Sequence, residues 1–386
     1  MTVWIVNPFD NLPAEGNRPQ RYWLMAKAFA AAGHKAVLWT SDFSHATKAK
    51  RKLVLEVDDG FQVRMVATMP YPANICWQRV LSHGKLARDW LRQARLEAAR
   101  PDVVIASTPP LGLCDAARRF AREAGAKFVC DIMDAWPETF YRIVPRWLLY
   151  PLRRVARRIY TGADAVSAVS KRYIELAAGY GAKSPMHCCN HGILLRQDCV
   201  GQAGIAAGRA PGNGDGKAGA RLVYVGAMGL SYDLETVIDA VRALEDATLD
   251  MAGGGPKEAL LRERAAGCPR FRFHGYLGDG ELRALLSRSS IGIIPMFPDS
   301  CVGIPYKLAD YAAAGLKVVE SLGGEAGELV SRYQAGRHYE AGNAESLKRA
   351  IVETDGIKGH DATAFAALFD AERIMSGYVK WVESDV

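Results

Sequence analysis

The sequence predicts an α/β protein made of two Rossmann-like domains that face a central cleft. Three observations predict it. Short apolar strands alternate with helices along nearly all of the 386 residues, which is the pattern of parallel sheets. That length exceeds one typical core and favours two domains. Seven glycines within residues 201–219 split the alternation in two, as a flexible linker does. The expected divisions are 1–198 for the first domain, 199–220 for the linker, 221–362 for the second domain, and 363–386 for a terminal helix packed back on the first.

Val3 to Asn7 reads as the first strand, followed by a loop, a helix over Gln20–Ala32 and a strand over Ala36–Thr40. The loop lacks G-x-G-x-x-G, so the dinucleotide fingerprint is absent. Gly16, with Glu15, Asn17 and Arg18, lies past the carboxyl end of the strand, where open α/β sheets bind ligands. Glycine there permits close backbone approach, which makes Gly16 a candidate ligand contact against the plain alternative of a surface loop. Phe61–Val66 is the next strand, and Trp77–Ala99 a long basic helix. Asp102–Ala106 and Lys127–Ile132 are strands around a helix over Leu111–Ala124. The last strand runs into Asp131-Ile-Met-Asp134-Ala-Trp-Pro-Glu138, acids at a carboxyl edge. The spacing is not D-x-D and indicates no metal site.

Residues 141–160 carry Arg142, Arg146, Arg153, Arg154, Arg157 and Arg158 among Trp147, Leu148, Leu149, Tyr150 and Ile159. A basic helix of this kind, over 142–158, can lie on an anionic membrane surface. Its alternative is a solvated basic face over a core-facing stripe. Ala165–Ser170 is a further strand, and Asn190-His191-Gly192-Ile193 closes the first half.

After the linker, strands are expected at Arg221–Val225, Thr248–Ala252, Phe271–His274 and Ile291–Pro295, with helices at Asp233–Leu244, Lys257–Ala266 and Glu281–Arg288. The next stretch, 303–319, carries the most chemistry. Pro305 suits a helix start and Gly315 a left-handed stop, with a short strand from Leu316 to Val319. A helix N-terminus presents free N–H groups and partial positive charge to a phosphate. Lys307 lies in the first turn, and Asp310, three residues on, shares its face. The pair offers an ammonium for phosphates and a carboxylate for ribose hydroxyls, or else is an ordinary surface pair. The tail from Ala364 to Glu383 is amphipathic and reads as a helix.

Bulk properties narrow the class. Residues 1–200 hold 29 Lys and Arg against 17 Asp and Glu, the remainder 20 against 25, within a net charge of +7. An anionic partner or surface is therefore expected at the first half. No nucleic-acid module is present, so nucleic acid is not an expected partner. Eight scattered cysteines without a CxxC pair favour reduced thiols and no zinc site. No apolar run spans a bilayer and no signal peptide opens the chain, so a cytoplasmic location is expected, peripheral on the inner membrane face.

Several motifs, in order, resemble family 4 of the GT-B-fold glycosyltransferases. Val223-Tyr-Val-Gly226 resembles the strand and glycine turn that begin its donor domain, and Met251-Ala-Gly253-Gly-Gly255-Pro256 its G-x-G-P turn. Phe273-His-Gly275-Tyr276 resembles the segment near the base. Asp310-Tyr-Ala-Ala-Ala-Gly315 resembles the E-A-x-A-x-G signature, with Asp310 in the place of the second glutamate. In the first half, Asp134-Ala-Trp136-Pro137 is similar to the D-x-W-P segment of transferases that build bacterial surface polysaccharides, and His191-Gly192-Ile193 resembles their N-G-[VI]. Three positions depart from the family. Val302 stands where the first glutamate of E-x7-E belongs, Ala227 and Met228 where Arg and Lys usually follow the turn, and Lys317 where proline is usual.

The resemblance implies a retaining, metal-independent transferase that needs no cofactor. It moves a sugar from a nucleoside diphosphate sugar to a glycan or lipid-linked glycan, as in bacterial polysaccharide synthesis. Donor contacts are then expected from Gly16, Gly226, Tyr276, Asp310 and Lys307 with the amides of Gly303 and Ile304. Lys307 takes the phosphate charge, and Asp134 meets the acceptor or the transferred sugar. Asp134 has a plainer alternative as a helix cap or turn residue. Two other functions fit the same residues, a sugar-nucleotide epimerase and a degenerate nucleotide-sugar-binding protein without transfer activity.

Overall fold

The computed structural model describes residues 1–15, 18–51, 60–74, 76–141, 143–195 and 219–386. Gly16, Asn17, Arg142 and most of the expected linker over 199–220 lie outside the described residues. The chain divides into two compact units, Met1–Gly192 with Glu372–Val386, and Ile193–Ala371.

The first unit contains β1 (Thr2–Val6), α1 (Arg21–Ala31), β2 (Lys35–Ser41), a hairpin of β3 (Phe43–Ser44) and β4 (Ala49–Lys50), and β5 (Gln62–Val66). It continues through α2 (Trp77–Leu96), β6 (Val103–Thr108), α3 (Leu111–Ala124), β7 (Lys127–Ile132), α4 (Tyr150–Thr161), β8 (Ala165–Ala168), α5 (Lys171–Gly179) and β9 (Met186–Cys188). Its seven-stranded sheet has the order β5-β2-β1-β6-β7-β8-β9, and all of its pairs are parallel. Val103, Val104, Ile105 and Ala106 are buried because helices cover both sheet faces. Trp4 stacks on Phe120 at 5.2 Å, and Trp39 and Trp90 complete that side of the core.

Helix α1 has no cap from its own flanking residue. Asp10, in the loop after β1, supplies one: its Oδ2 accepts from the N–H groups of Tyr22 (2.7 Å) and Trp23 (3.0 Å). One turn into the core, Arg21 forms a two-pronged ion pair with Asp131 at 2.8 and 2.9 Å. Tyr22 Oη and Ser167 Oγ also donate to Asp131, each at 2.6 Å.

The basic stretch 141–160 is not one helix. A 3-10 turn at Glu138–Phe140 leads through turns to α4, which starts only at Tyr150 with Pro151 in its first turn. Pro145 and Pro151 explain the late start, since proline is disfavoured in a helix interior but accepted in its first turn.

The second unit contains β10 (Arg221–Val225), α6 (Leu234–Arg242), β11 (Thr248–Ala252), α7 (Glu258–Ala265), β12 (Phe271–Gly275), α8 (Asp279–Ser287) and β13 (Ile291–Ile294). It continues with α9 (Tyr306–Ala313), β14 (Lys317–Glu320), α10 (Gly324–Arg332), β15 (Gly336–His338), α11 (Ala344–Asp355) and α12 (Ala362–Ala367). The six-stranded sheet has the order β12-β11-β10-β13-β14-β15, again wholly parallel. Each sheet reverses its direction of growth beside its first strand, between β1 and β6 and between β10 and β13. Such switch points leave crevices at the carboxyl edge.

The tail expected as one helix over 364–383 forms two. Asp361 caps α12, accepting from Ala364 N–H at 2.9 Å, and Phe365 and Phe369 enter the core of the second unit. The helix then breaks because Ile193 pairs with residue 370: Ile193 N–H donates to Phe369 O (2.8 Å) and Ala371 N–H to Ile193 O (3.0 Å). Helix α13 (Ala371–Asp385) follows and packs in the first unit. There Tyr378 Oη lies 3.0 Å from Ser167 Oγ, and Trp381 stacks on His187 at 4.9 Å.

Candidate functional site

The switch point of the second sheet gathers most of the residues expected to bind a ligand. Helix α9 is held over it by Tyr311. The Tyr311 ring lies on Gly292 of β13, where a Cβ would fall 2.2 Å from the ring. Its hydroxyl accepts from Val225 N–H of β10 at 3.1 Å. At the far end the helix closes with the two bonds of a Schellman cap, Leu316 N–H to Tyr311 O (2.9 Å) and Gly315 N–H to Ala312 O (3.0 Å). Gly315 takes φ +70°, the left-handed stop expected at that position.

This anchoring brings Lys307 to the turn after β10. A Cβ on Gly226, whose φ is +140°, would lie 2.6 Å from Lys307 Nζ. Gly226 and Lys307, far apart in sequence, are therefore in direct contact. The ammonium donates to Tyr232 Oη at 3.2 Å and lies 4.2 and 5.3 Å from the ring centres of Tyr232 and Tyr224. Lys307 is 8 % exposed. Among the described residues no carboxylate pairs with it. A nearly buried cation without a counter-ion is costly unless an anion arrives.

Gly303 and Ile304 precede the helix and are buried. Their N–H groups have no acceptor among the described residues. Unsatisfied buried amides are uncommon and mark this loop as a ready anion cradle. Asp310 is also buried, in the middle of α9. Tyr276 is 79 % exposed, and its ring lies 3.3 Å from where a Cβ on Gly254 would be. It therefore flanks the glycine turn after β11. That turn is joined to its neighbours by Gly226 N–H to Ala252 O (2.9 Å), Met228 N–H to Gly254 O (2.9 Å) and Gly253 N–H to Gly275 O (2.6 Å). Met228 is fully buried in the core, so position 228 has no room for a solvated cation.

In the first unit the two acids after β7 have different surroundings. Asp131 is fully buried in its ion pair with Arg21. The pair, with the Ser167 and Tyr22 hydroxyls, holds its carboxyl below the usual range in spite of burial. Asp134 is half-buried and accepts from Thr139 Oγ1 at 2.9 Å. Burial pushes its carboxyl up, against the hydrogen bonds and the nearby charge of Arg79. The geometry thus contains the turn role, and the raised carboxyl also suits proton exchange. Among the described residues no cluster of three or more His, Cys, Asp or Glu is set to hold a metal.

Two family models match the chain. Residues 219–354 match "Glycosyl transferases group 1" and residues 19–187 match "Glycosyl transferase 4-like domain". The chain is a family 4-like glycosyltransferase of the GT-B fold. The fold is shared with sucrose-phosphate synthase from Thermosynechococcus elongatus, at TM-score 0.72 and 13% identity over 99% of this chain and 98% of that one. It is shared too with Anabaena HepE in complex with UDP and glucose, at TM-score 0.68 and 14% identity over 100% of both chains. An E. coli trehalose-6-phosphate protein bound with UDP-2-fluoro glucose gives TM-score 0.68 at 12% identity over 100% of both. No curated protein sequence matches the chain.

Sequence reasoning missed parts of this glycosyltransferase that act through packing. Tyr224 and Tyr232 wall the ammonium, and Gly292 admits the ring that fixes α9. A glycine inside an apolar strand, Ile291-Gly-Ile-Ile, was the available signal of close approach.

Proposed function

We propose that this glycosyltransferase moves a sugar, with retention and without a metal, from a nucleoside diphosphate sugar to a glycan or lipid-linked glycan in bacterial polysaccharide synthesis. The observation that carries the donor assignment is the nearly buried Lys307 ammonium, without a carboxylate partner among the described residues, against the Gly226 turn. Gly303 and Ile304 add two N–H donors, and the α9 N-terminus adds its partial positive charge. HepE in complex with UDP and glucose, on the same fold, supports a nucleotide-sugar donor.

In the reaction the bond between the anomeric carbon and the diphosphate oxygen breaks. Negative charge grows on the departing diphosphate, and fixed donors stabilise it more than they stabilise the intact donor. Lys307 supplies that charge where the family's usual basic pair is replaced by Ala227 and the buried Met228. The acceptor oxygen bonds to the same carbon, and its proton leaves with the diphosphate. Asp310 holds the ribose hydroxyls, Tyr276 lies beside the base, and Asp134 orients the acceptor.

The deciding experiment is a thermal-shift panel of nucleoside diphosphates and their sugars, since selective stabilisation reports binding. One nucleotide class is expected to stabilise the protein. Lys307→Ala is expected to raise its dissociation constant about tenfold or more, the loss of one charge-assisted contact. Unchanged donor binding in that variant overturns the assignment. Donor binding without transfer over a broad acceptor panel would favour the binding-protein alternative, for which Val302 in place of the first glutamate is the supporting residue. Product from donor alone would favour an epimerase.

The membrane assignment rests on side chains around α4. Trp147 is 74 % exposed, and Ile143, Leu148, Tyr150 and Leu152 are exposed beside Arg146, Arg153, Arg154 and Arg157. Arginines with exposed aromatic and aliphatic groups suit the headgroup region of an anionic leaflet. Among the described residues no helix is long and apolar enough to cross a membrane. Binding to phosphatidylglycerol vesicles should fall with salt, and Trp147→Ala should reduce it without moving the melting temperature. Partition insensitive to both excludes this surface.

A further inference from the structure

A second group of cations with no ion-pair partner among the described residues lies in the first unit, at the carboxyl edge of its sheet. The β3–β4 hairpin carries His45 and Lys48, the segment after β5 carries Tyr71, and the first turns of α2 carry Arg79 and His83. Phe9, after β1, and Trp136, after β7, close the group. Lys48 Nζ and Arg79 Cζ lie 5.4 and 5.9 Å from the same Tyr71 ring centre. Arg79 also lies over Trp136 (5.2 Å) and Phe9 (5.8 Å). Both cations bond to Asn74: Lys48 Nζ to its Oδ1 and an Arg79 guanidinium nitrogen to its carbonyl, each at 2.6 Å.

Among the described residues all their hydrogen bonds go to neutral acceptors. Lys48 donates to Asn74 Oδ1, His45 O and His45 Nδ1. Arg79 donates to Asn74 O and His83 Nε2 and lies beside the Tyr71 ring. Among the described residues neither cation forms an ion pair, and Asp134 acts on Arg79 only as a nearby charge. The histidines do not change this. Burial and the two cations push His45 to about 3, and burial with Arg79 pushes His83 to about 3, so both are neutral at pH 7. Burial and the repulsion of Arg79 lower Lys48 to about 8. Two like charges, partly dehydrated and tied to one residue, repel each other until an anion joins them.

We propose that Lys48 and Arg79 form an anion subsite in the first unit that holds the phosphate or diphosphate group of the acceptor. This rests on the transferase reading for the name of its ligand and on the geometry alone for its charge. Phe9, Tyr71 and Trp136 give the subsite aromatic walls against which a sugar ring or an isoprenoid can lie. The same α2 turns expose Trp77 (68 %), Val80 and Leu81 on the opposite helix face. An apolar stripe there favours an acceptor presented at a lipid surface.

The test titrates the whole protein with inorganic diphosphate, farnesyl diphosphate and farnesol, and reads tryptophan fluorescence and heat. Wild type should bind both diphosphates, and farnesol not at all. Lys48→Gln and Arg79→Gln, each made in the Lys307→Ala background so that the cation of the second unit does not hold the probe, should each weaken diphosphate binding about tenfold. Arg79→Lys keeps the charge and should retain most of the binding, which guards against a mere folding defect in Arg79→Gln. Farnesyl diphosphate binding at least tenfold more tightly than inorganic diphosphate identifies a lipid-linked source. Equal binding identifies the phosphate group alone, and both results uphold the subsite. Unchanged diphosphate binding when Lys48→Gln and Arg79→Gln are combined in the Lys307→Ala background overturns it, whatever the transfer activity. Diphosphate binding that depends on these two residues in a protein with no transferase activity upholds the subsite and refutes the transferase reading separately.

Discussion

Lys307 and Gly226 show how two residues far apart in sequence constrain each other. The glycine is needed twice over: φ is +140°, and a Cβ would lie 2.6 Å from the ammonium. Gly226→Ala should cost about 1–3 kcal/mol in a urea titration and weaken donor binding. Shortening the lysine, as Lys307→Ala, should recover part of that stability in the double variant. Asp10 makes a pH-dependent case. Burial raises its carboxyl from 3.8 to about 6, in spite of the two capped N–H groups, Arg21 and Arg51. A carboxyl that holds its proton more tightly when folded stabilises the fold fully below pH 4. That contribution is lost as pH rises through 6, an effect of about 3 kcal/mol for roughly 2 pH units. Asp10→Asn keeps an acceptor for Tyr22 and Trp23, so its unfolding free energy should vary less between pH 4 and 7 than that of wild type. The two acids after β7 mark the limit of the sequence at this scale. Asp131 and Asp134 looked alike as a carboxyl-edge pair, and only the fold separates a buried partner of Arg21 from a half-buried carboxyl beside Thr139. Lys48 and Arg79 were invisible for a related reason: their proximity depends on where a hairpin and a helix meet.

At the level of elements, α9 was the most legible because its signals are local. Pro305 and Gly315 mark its ends, and the structure runs it from Tyr306 to Ala313. Its position was not legible, since that depends on Tyr311 fitting the gap at Gly292. Gly292→Ala should lower stability by about 3 kcal/mol by overpacking, and it should also weaken nucleotide binding by displacing Lys307. A stability loss with unaltered nucleotide affinity would separate the slot from the site. The tail and the basic stretch were the least legible elements. Periodicity alone joined α12 to α13, because the pairing of residue 370 with Ile193 lies outside any local pattern. In the basic stretch the prolines at 145 and 151 carried the information that the charge pattern obscured. Trp381→Ala tests α13 directly. Loss of a nearly buried ring stacked on His187 should destabilise the first unit by about 3–5 kcal/mol.

Over the whole molecule, two parallel sheets with separate cores were readable from strand–helix alternation and the glycine-rich break. The chain path was less so: the first unit holds both ends, and the second is inserted between Gly192 and Glu372. Deleting residues 372–386 should therefore abolish the cooperative unfolding of the first unit and leave that of the second in place, as two-probe urea curves can resolve. The insertion also fixes an order of events during synthesis. When Gly192 leaves the ribosome, the first sheet is complete in its strands but lacks the helix that carries Tyr378 and Trp381. The ribosome must then make Ile193–Ala371, roughly 10–35 s at about 5–20 residues per second. Throughout that interval the second unit can fold while the first waits, with the surface around His187 and Ser167 uncovered. The nascent enzyme thus finishes its middle before its beginning, and that waiting surface is where a chaperone is most needed.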